Sequence, residues 1–255
     1  MLSETQTAWV QIARQSNSLA QGLYEAMLAF CNQKRKGHKR KAEMSLVRRI
    51  HSNLKAIVVL SSVSYKSDTI FFKFPVGILL RNCMMDTIYA LYLRSLSAKE
   101  AEEEIKVLNK DYVKSFSDRF DVYKDRTHFA GLSEETLEHI YQLSVEDNFI
   151  QYLDWEVKDN QLTTKAMKSK DLRTIHNDWP ENITINRMVE RVKQTPRKAT
   201  IVTRIHSYYK YFSQYEHFSE YAYGDSLAPF GSDNVSFPAA LDALKDGLRQ
   251  IVKCL

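Results

Sequence analysis

The sequence has few of the residues that interrupt helices, with 7 glycines and 5 prolines among 255 residues. β-Sandwiches and barrels need many turns, in which these two residues concentrate, so their scarcity disfavours both architectures. Three widely spaced cysteines, Cys31, Cys83 and Cys254, suggest neither a disulfide framework nor a zinc site. The composition therefore predicts an all-α protein, and nothing in the sequence indicates a metal or another cofactor.

Long apolar runs are also missing. No window of about 20 uninterrupted apolar residues occurs, and the first residues have neither the basic start nor the apolar run of a signal peptide. We therefore expect a cytoplasmic protein without membrane contact. Four familiar signatures are absent as well: a glycine-rich phosphate loop, HExxH, a CxxC pair and Gly-x-Ser-x-Gly. Any chemistry has to come from polar residues placed on helices.

Positive charge is concentrated in one short segment. The net charge is +5, but residues 34–41, KRKGHKRK, carry six positive charges and no acid, so the remainder of the chain sums to −1. Such a run can hold the phosphates of a nucleic acid, or it can be a solvated loop between two helices. We predict a basic loop at 34–41 and leave both interpretations open.

The segment Phe74–Leu93, FPVGILLRNCMMDTIYALYL, is apolar on nearly every side of a helix. A helix of this kind belongs in the middle of a bundle, where charged residues need partners. Its charged residues, Arg81 and Asp86, are five positions apart, about 140° around the helix, so they cannot easily pair with each other. We expect their partners in the segment Tyr209–Ser219, and we expect that loss of Asp86 leaves a buried cation without its partner.

Periodic apolar residues predict eight further helices around this central one. They span approximately residues 3–32, 42–64, 97–124, 133–153, 164–176, 183–194, 198–219 and 236 onward. The periodicity is weak in segment 154–196, which is predicted to be irregular with short helices, and no convincing run of strands is found. The predicted architecture is a single helical domain over residues 1–255, a multi-helix bundle with a central buried helix.

One face of the helix predicted at 198–219 carries side chains that can act on a ligand. His206, Lys210, Ser213 and His217 follow at intervals of four, three and four, and so share that face. The opposite face has the apolar spacing of a core stripe. The candidate substrate-binding residues are Tyr209, Lys210 and Ser213.

The candidate catalytic residues are Arg81, Asp86 and His217. Together they would provide a cation, a carboxylate and a titratable imidazole. An arginine can hold a phosphate and stabilise charge that develops on it, while a histidine can move a proton. The same three residues can instead form a closed polar network that fixes the register of two core helices and binds nothing.

The segments LLRNCMMDTIYALYL and YKYFSQYEHFS together resemble a group of bacterial helical proteins related to the HEPN superfamily. In that group, a helix with an arginine and, five residues later, an acidic residue is matched by a late Tyr-x-x-x-Ser-x-x-x-His helix. The residues of this chain that fit the pattern are Arg81, Asp86, Tyr209, Ser213 and His217. The resemblance covers about a fifth of the chain. Active members usually carry Arg and then His after four to six residues, and no Arg–His pair here has that spacing.

HEPN proteins are helical bundles, often dimeric, and many are metal-independent ribonucleases of defence or toxin systems. The resemblance thus implies a protein that binds RNA or a nucleotide, or that cleaves RNA without a metal. The alternative is a non-catalytic helical scaffold that binds a protein partner or a second copy of itself. A pocket that reaches solvent would favour the first reading, and a closed network would favour the second.

Overall fold

The computed structural model of the chain describes residues 4–32, 38–67, 73–108, 131–142, 155–158, 161–164, 183–215 and 236–252. Eight helices and two short strands lie within these ranges. We number them in chain order as α1 Glu4–Cys31, α2 His38–Ser67, α3 Lys73–Ser95, α4 Ala98–Leu108, α5 Glu134–Gln142, β1 Trp155–Lys158, β2 Gln161–Thr164, α6 Ile185–Lys193, α7 Pro196–Ser213 and α8 Ser236–Arg249. The helices pack against one another, which confirms the predicted all-α bundle.

The chain divides into two compact units, one formed by Met1–Glu102 with Thr184–Leu255 and the other by Glu103–Ile183. The first unit holds α1, α2, α3, α6, α7, α8 and the start of α4. The second unit holds the rest of α4, α5 and both strands. Parts of four predicted helices, at 109–124, 143–153, 165–176 and 216–219, lie outside the described residues.

The second unit contains a hairpin that the sequence analysis does not predict. β1 and β2 pair antiparallel, with Trp155 opposite Thr164 and Lys158 opposite Gln161. The hairpin lies in the segment predicted to be irregular, and Thr164 ends a strand where a short helix was expected to begin. Aromatic and β-branched residues favour strands, but four residues per strand are too few to show a period of two clearly.

α3 is the central helix of the first unit, as its sequence predicts. It packs against α2, α6, α7 and α8. Buried residues occur around its whole circumference: Val76, Leu80, Cys83, Met84, Asp86, Thr87, Ile88, Ala90 and Leu91. α8 approaches α3 closely at Gly247. A Cβ at Gly247 would lie 2.4 Å from Ile205 and 2.8 Å from Thr87, so a glycine is needed for this approach.

α2 begins at His38, four residues before the predicted start, so residues 38–41 of the predicted basic loop are helical. Lys39 gives a physical reason, because its Nζ donates a hydrogen bond to the backbone oxygen of Leu96, just beyond the end of α3. A lysine placed near a helix C-terminus is stabilising there. The start of α2 is thus held against the bundle, while residues 33–37 lie outside the described residues.

The predicted cap between α3 and α4 is confirmed. The backbone N–H of Ser97 donates to the Glu100 carboxylate at 2.8 Å, and the Ser97 hydroxyl accepts from the Glu100 N–H at 3.3 Å. These two bonds form a capping box. The predicted cap of α5 is confirmed too, because the Ser133 hydroxyl accepts from the N–H of Thr136 at 3.1 Å.

Candidate functional site

Arg81 reaches α7, as the sequence predicts. Its Nε donates to the Ser213 hydroxyl oxygen at 3.4 Å, and its guanidinium carbon lies 5.2 Å from the centre of the Tyr209 ring. Its Nη1 also donates to Oδ1 of Asn82 at 3.3 Å. A guanidinium over an aromatic face is stabilised by the ring quadrupole. The structure therefore brings together three of the predicted site residues, Arg81, Tyr209 and Ser213.

The other polar residues predicted on this helix face are His206, Lys210 and His217. Lys210 is exposed. Burial lowers the pKa of His206, and the positive charge of Lys210 lowers it further. The His206 ring stacks on Tyr209 with 6.1 Å between ring centroids. His217 lies outside the described residues, so its convergence with Arg81 stays a prediction.

Among the described residues, Asp86 pairs with Arg49 of α2, and no ion pair joins it to residues 209–215 of the segment where its partner was expected. Its Oδ1 lies 3.0 Å from Nη2 of Arg49. Helix geometry explains the different partners, because residues five positions apart point about 140° away from each other. Arg81 therefore faces α7, while Asp86 faces α2. Arg49 lies on the polar side of α2, where apolar periodicity gives no sign that a neighbouring helix is within reach.

The two members of this ion pair have very different surroundings. The Asp86 side chain is 0% exposed and the Arg49 side chain is 58% exposed. Within the described part of the chain, neither Asp86 oxygen accepts a hydrogen bond of good geometry, so the 3.0 Å contact is one of charge alone. Burial raises the pKa of Asp86 from 3.8 to about 7, although the positive charge of Arg49 acts to lower it. The carboxyl group therefore titrates near neutral pH.

A pocket of about 300 Å³ opens beside this ion pair, between α2 and α3. Its lining residues are Arg48, Arg49, Ser52, Asn53 and Asn82. All five carry N–H or O–H donors and none is acidic, so the lining is rich in donors and positively charged. This pocket was not predicted, because the candidate residues all come from α3 and from the helix predicted at 198–219.

Asn82 connects the pocket to the α3–α7 contact. Its Oδ1 accepts the hydrogen bond from Arg81, which leaves the two donors of its amide nitrogen for other partners. Because Asn82 also lines the pocket with Arg48 and Arg49, three arginines lie around one asparagine. Asn82 therefore contacts Arg81, which faces α7, and also lines the pocket, which faces α2.

The exposed face of α2 extends this positive charge. Lys41, Arg48 and Lys55 are all exposed and follow at intervals of seven residues, or about 10 Å along the helix. α2 contains a single acidic residue, Glu43, which is buried and lies 3.3 Å from the guanidinium of Arg94. The basicity that the sequence analysis confines to residues 34–41 thus continues along the helix.

Comparisons of the chain with protein-family models, curated proteins and solved structures find no match. Among the described residues, no group of three or more His, Cys, Asp or Glu side chains could hold a metal ion. None of the described helices combines the length and apolarity needed to cross a membrane. The site therefore has to be interpreted from its own geometry.

Proposed function

We propose that the protein binds the phosphate groups of RNA or of a nucleotide in the pocket between α2 and α3. The observation that carries the proposal is the lining, in which Arg48 and Arg49 stand beside Asn53, Asn82 and Ser52 without an acidic residue. Guanidinium groups donate paired hydrogen bonds that match phosphate oxygens, and amide and hydroxyl groups add neutral donors. Donors of these kinds around one opening suit an anion.

The charge on α2 favours RNA over a free nucleotide. The exposed residues Lys41 and Lys55 lie one heptad before and after the pocket residue Arg48, and Lys41 is the last residue of the basic run at 34–41. A polyanion can neutralise all of these charges at once and release its counterions, which strengthens binding at low salt. A single nucleotide can contact only the pocket.

The test is the affinity for a labelled oligoribonucleotide, measured by fluorescence anisotropy at two salt concentrations. Replacing Arg48 or Arg49 by Met should weaken binding roughly tenfold or more, since a charge-assisted hydrogen bond contributes about 1.5–3 kcal/mol. Arg204→Met is the matched control, because Arg204 lies on α7 and binds Asp242 and Asp246 at 2.8 and 3.0 Å. This control substitution also removes one positive charge, but at a residue that does not line the pocket.

Three outcomes have distinct meanings. A selective loss in the pocket variants supports the proposal. Equal small losses in all three variants would mean that only net charge matters, and that the pocket is not the binding site. A parent protein with no salt-sensitive affinity for RNA would overturn the proposal and favour the scaffold alternative.

Metal-independent cleavage of RNA is the second candidate function. It is favoured by the contact of Arg81 with Tyr209 and Ser213, three residues that the HEPN resemblance places together. In such a reaction Arg81 would stabilise charge and His217 would transfer a proton. The test compares the parent with His217→Ala on a mixed RNA pool without added metal. Activity lost in a folded variant would support cleavage, and an inactive parent would exclude it.

A further inference from the structure

Asp86 contacts a residue that lines the pocket. It is fully buried, and among the described residues its ion-pair partner is Arg49, which lines the pocket and is mostly exposed. A phosphate that enters the pocket has to share this guanidinium with the carboxylate. Arg49 can therefore contact both the buried carboxylate of Asp86 and an anion in the pocket.

From this arrangement we propose that Asp86 is a positioning residue that couples anion binding in the pocket to proton uptake. The inference rests on the proposed function, because it requires the pocket to bind an anion. In this role Asp86 acts on the ligand only through Arg49. While Asp86 is ionised it competes for the guanidinium, and once it is neutral Arg49 is free to bind the ligand.

The surroundings of Asp86 favour this coupling. No hydrogen bond within the described residues stabilises its charged form, so the Coulomb attraction of Arg49 is its main support. When a bound phosphate neutralises Arg49, that support weakens and the neutral carboxyl is favoured. The pKa of Asp86 is already about 7, so this change takes place at neutral pH.

Few other charges act on Asp86. Arg49 faces it from α2, and the Cys83 thiol faces it from α3. The thiol is itself raised in pKa, chiefly by burial, and so stays neutral in this range. α6, α7 and α8 also pack on α3, but no described charge on these helices shifts the pKa of Asp86. The proton exchange is therefore assigned to the carboxyl group of Asp86.

The experiment measures the affinity of an oligouridylate between pH 5.5 and 8.5, a range in which phosphodiesters keep their charge. The parent should bind nearly tenfold more weakly at pH 8.5 than at pH 5.5, if the bound anion raises the pKa of Asp86 by about one unit. Asp86→Asn should bind at both extremes with the affinity that the parent shows at low pH. Asp242→Asn alters net charge equally, at an exposed site on α8, and should keep the pH dependence of the parent.

A histidine close in sequence serves as a second control. His51 follows the pocket arginines on α2 and stacks on Tyr24, with 4.3 Å between ring centroids. Its pKa is lowered, chiefly by burial. His51→Gln should therefore leave the pH dependence above pH 6.5 unchanged. If the dependence disappears in His51→Gln, the proton belongs to that imidazole and the inference is wrong.

A measurement on the unmodified protein avoids any effect of substitution on folding. Binding enthalpies at pH 7 in buffers of different ionisation enthalpy give the number of protons exchanged. We expect net uptake of a fraction of a proton per oligomer. Binding without uptake, or a pH dependence that persists in Asp86→Asn, would overturn the inference while leaving the proposed function intact. No binding at any pH would overturn the proposed function itself.

Discussion

The two polar sides of α3 differ in how well their charges are accommodated. Towards α7, Arg81 donates to Ser213 and Asn82 and lies over the ring of Tyr209. Towards α2, Asp86 is fully buried and has an ion contact but no hydrogen bond within the described part of the chain. The same helix thus carries one well-satisfied charge and one poorly satisfied charge.

This difference indicates different roles. A buried polar group with a full set of partners stabilises a particular packing and needs nothing else. A buried carboxylate without hydrogen bonds destabilises the fold whenever it is ionised, which favours the view that it is retained for another reason. The open pocket also lies on the α2 side, next to the poorly satisfied charge. The function is therefore more reasonably sought there.

The largest effect is expected from Asp86→Asn. The folded pKa of about 7 lies above the ordinary 3.8, so the folded state binds more protons than the unfolded state between these values. The contribution of Asp86 to stability is therefore full below about pH 4 and falls as the pH rises to about 7. The loss amounts to about 4 kcal/mol. Asp86→Asn lacks this titration, so its stability relative to the parent should rise by about that amount between pH 4 and pH 8.

Denaturant unfolding at the two pH values checks this prediction, with Asp242→Asn as the control for an exposed carboxylate. The expectation from sequence alone, that loss of Asp86 leaves a buried cation, is corrected by the 58% exposure of the Arg49 side chain. A constant difference between parent and variant at both pH values would mean that Asp86 does not titrate in this range.

The next effect concerns Arg94, a charged residue near the end of α3. Arg94 donates to the backbone oxygens of Gln250 and Ile251 at 2.8 and 2.9 Å, and it lies 3.3 Å from Glu43. Arg94→Met should cost about 2–4 kcal/mol, because the buried Glu43 then loses its ion-pair partner. Adding Glu43→Gln should recover part of the loss. Thermal unfolding of the two single variants and the double variant gives the coupling, and additive effects would contradict the pairing.

The sequence predicts the fold better than the site, and the reasons are physical. Periodicity finds α3 because a helix buried on all sides loses its polar face. Helix geometry also separates Arg81 from Asp86, but it does not show which neighbour each one meets. Arg81 was correctly assigned to α7. The pairing of Asp86 with Arg49 was not predicted, because the exposed Arg49 has the sequence pattern of any solvated residue. A tertiary contact between an exposed and a buried charge leaves no periodic signal.

A third prediction compares the two arginines directly. Arg81→Met should cost about 1–3 kcal/mol, since the described contacts of Arg81 with Ser213, Asn82 and Tyr209 are lost. Arg49→Met should cost little at pH 5, where Asp86 is neutral, and more at pH 8, where Asp86 loses its Coulomb partner. Chemical denaturation at both pH values checks this. The comparison fails if the two variants show the same pH dependence.

The smallest effect is expected at the hydroxyl that receives Arg81. Ser213 donates to the backbone oxygen of Tyr209 at 2.7 Å and accepts from Arg81 at 3.4 Å. Ser213→Ala should cost about 0.5–1.5 kcal/mol, because Nε of Arg81 loses this acceptor. Ser207 is a matched control on the same helix, since its hydroxyl donates to the backbone oxygen of Thr203 at 3.0 Å and is exposed.

The difference between Ser213→Ala and Ser207→Ala isolates the contact with Arg81, because both variants lose the same type of bond to the preceding turn. The RNA affinity of the same two variants is a second measurement. If the pocket on the α2 side binds the phosphates, neither substitution should change the affinity by more than about twofold, since that ratio corresponds to less than about 0.5 kcal/mol. A selective loss of affinity in Ser213→Ala would instead restore the α3–α7 contact as the substrate-binding side, as the sequence alone predicts, and would reverse the roles assigned to the two sides of α3.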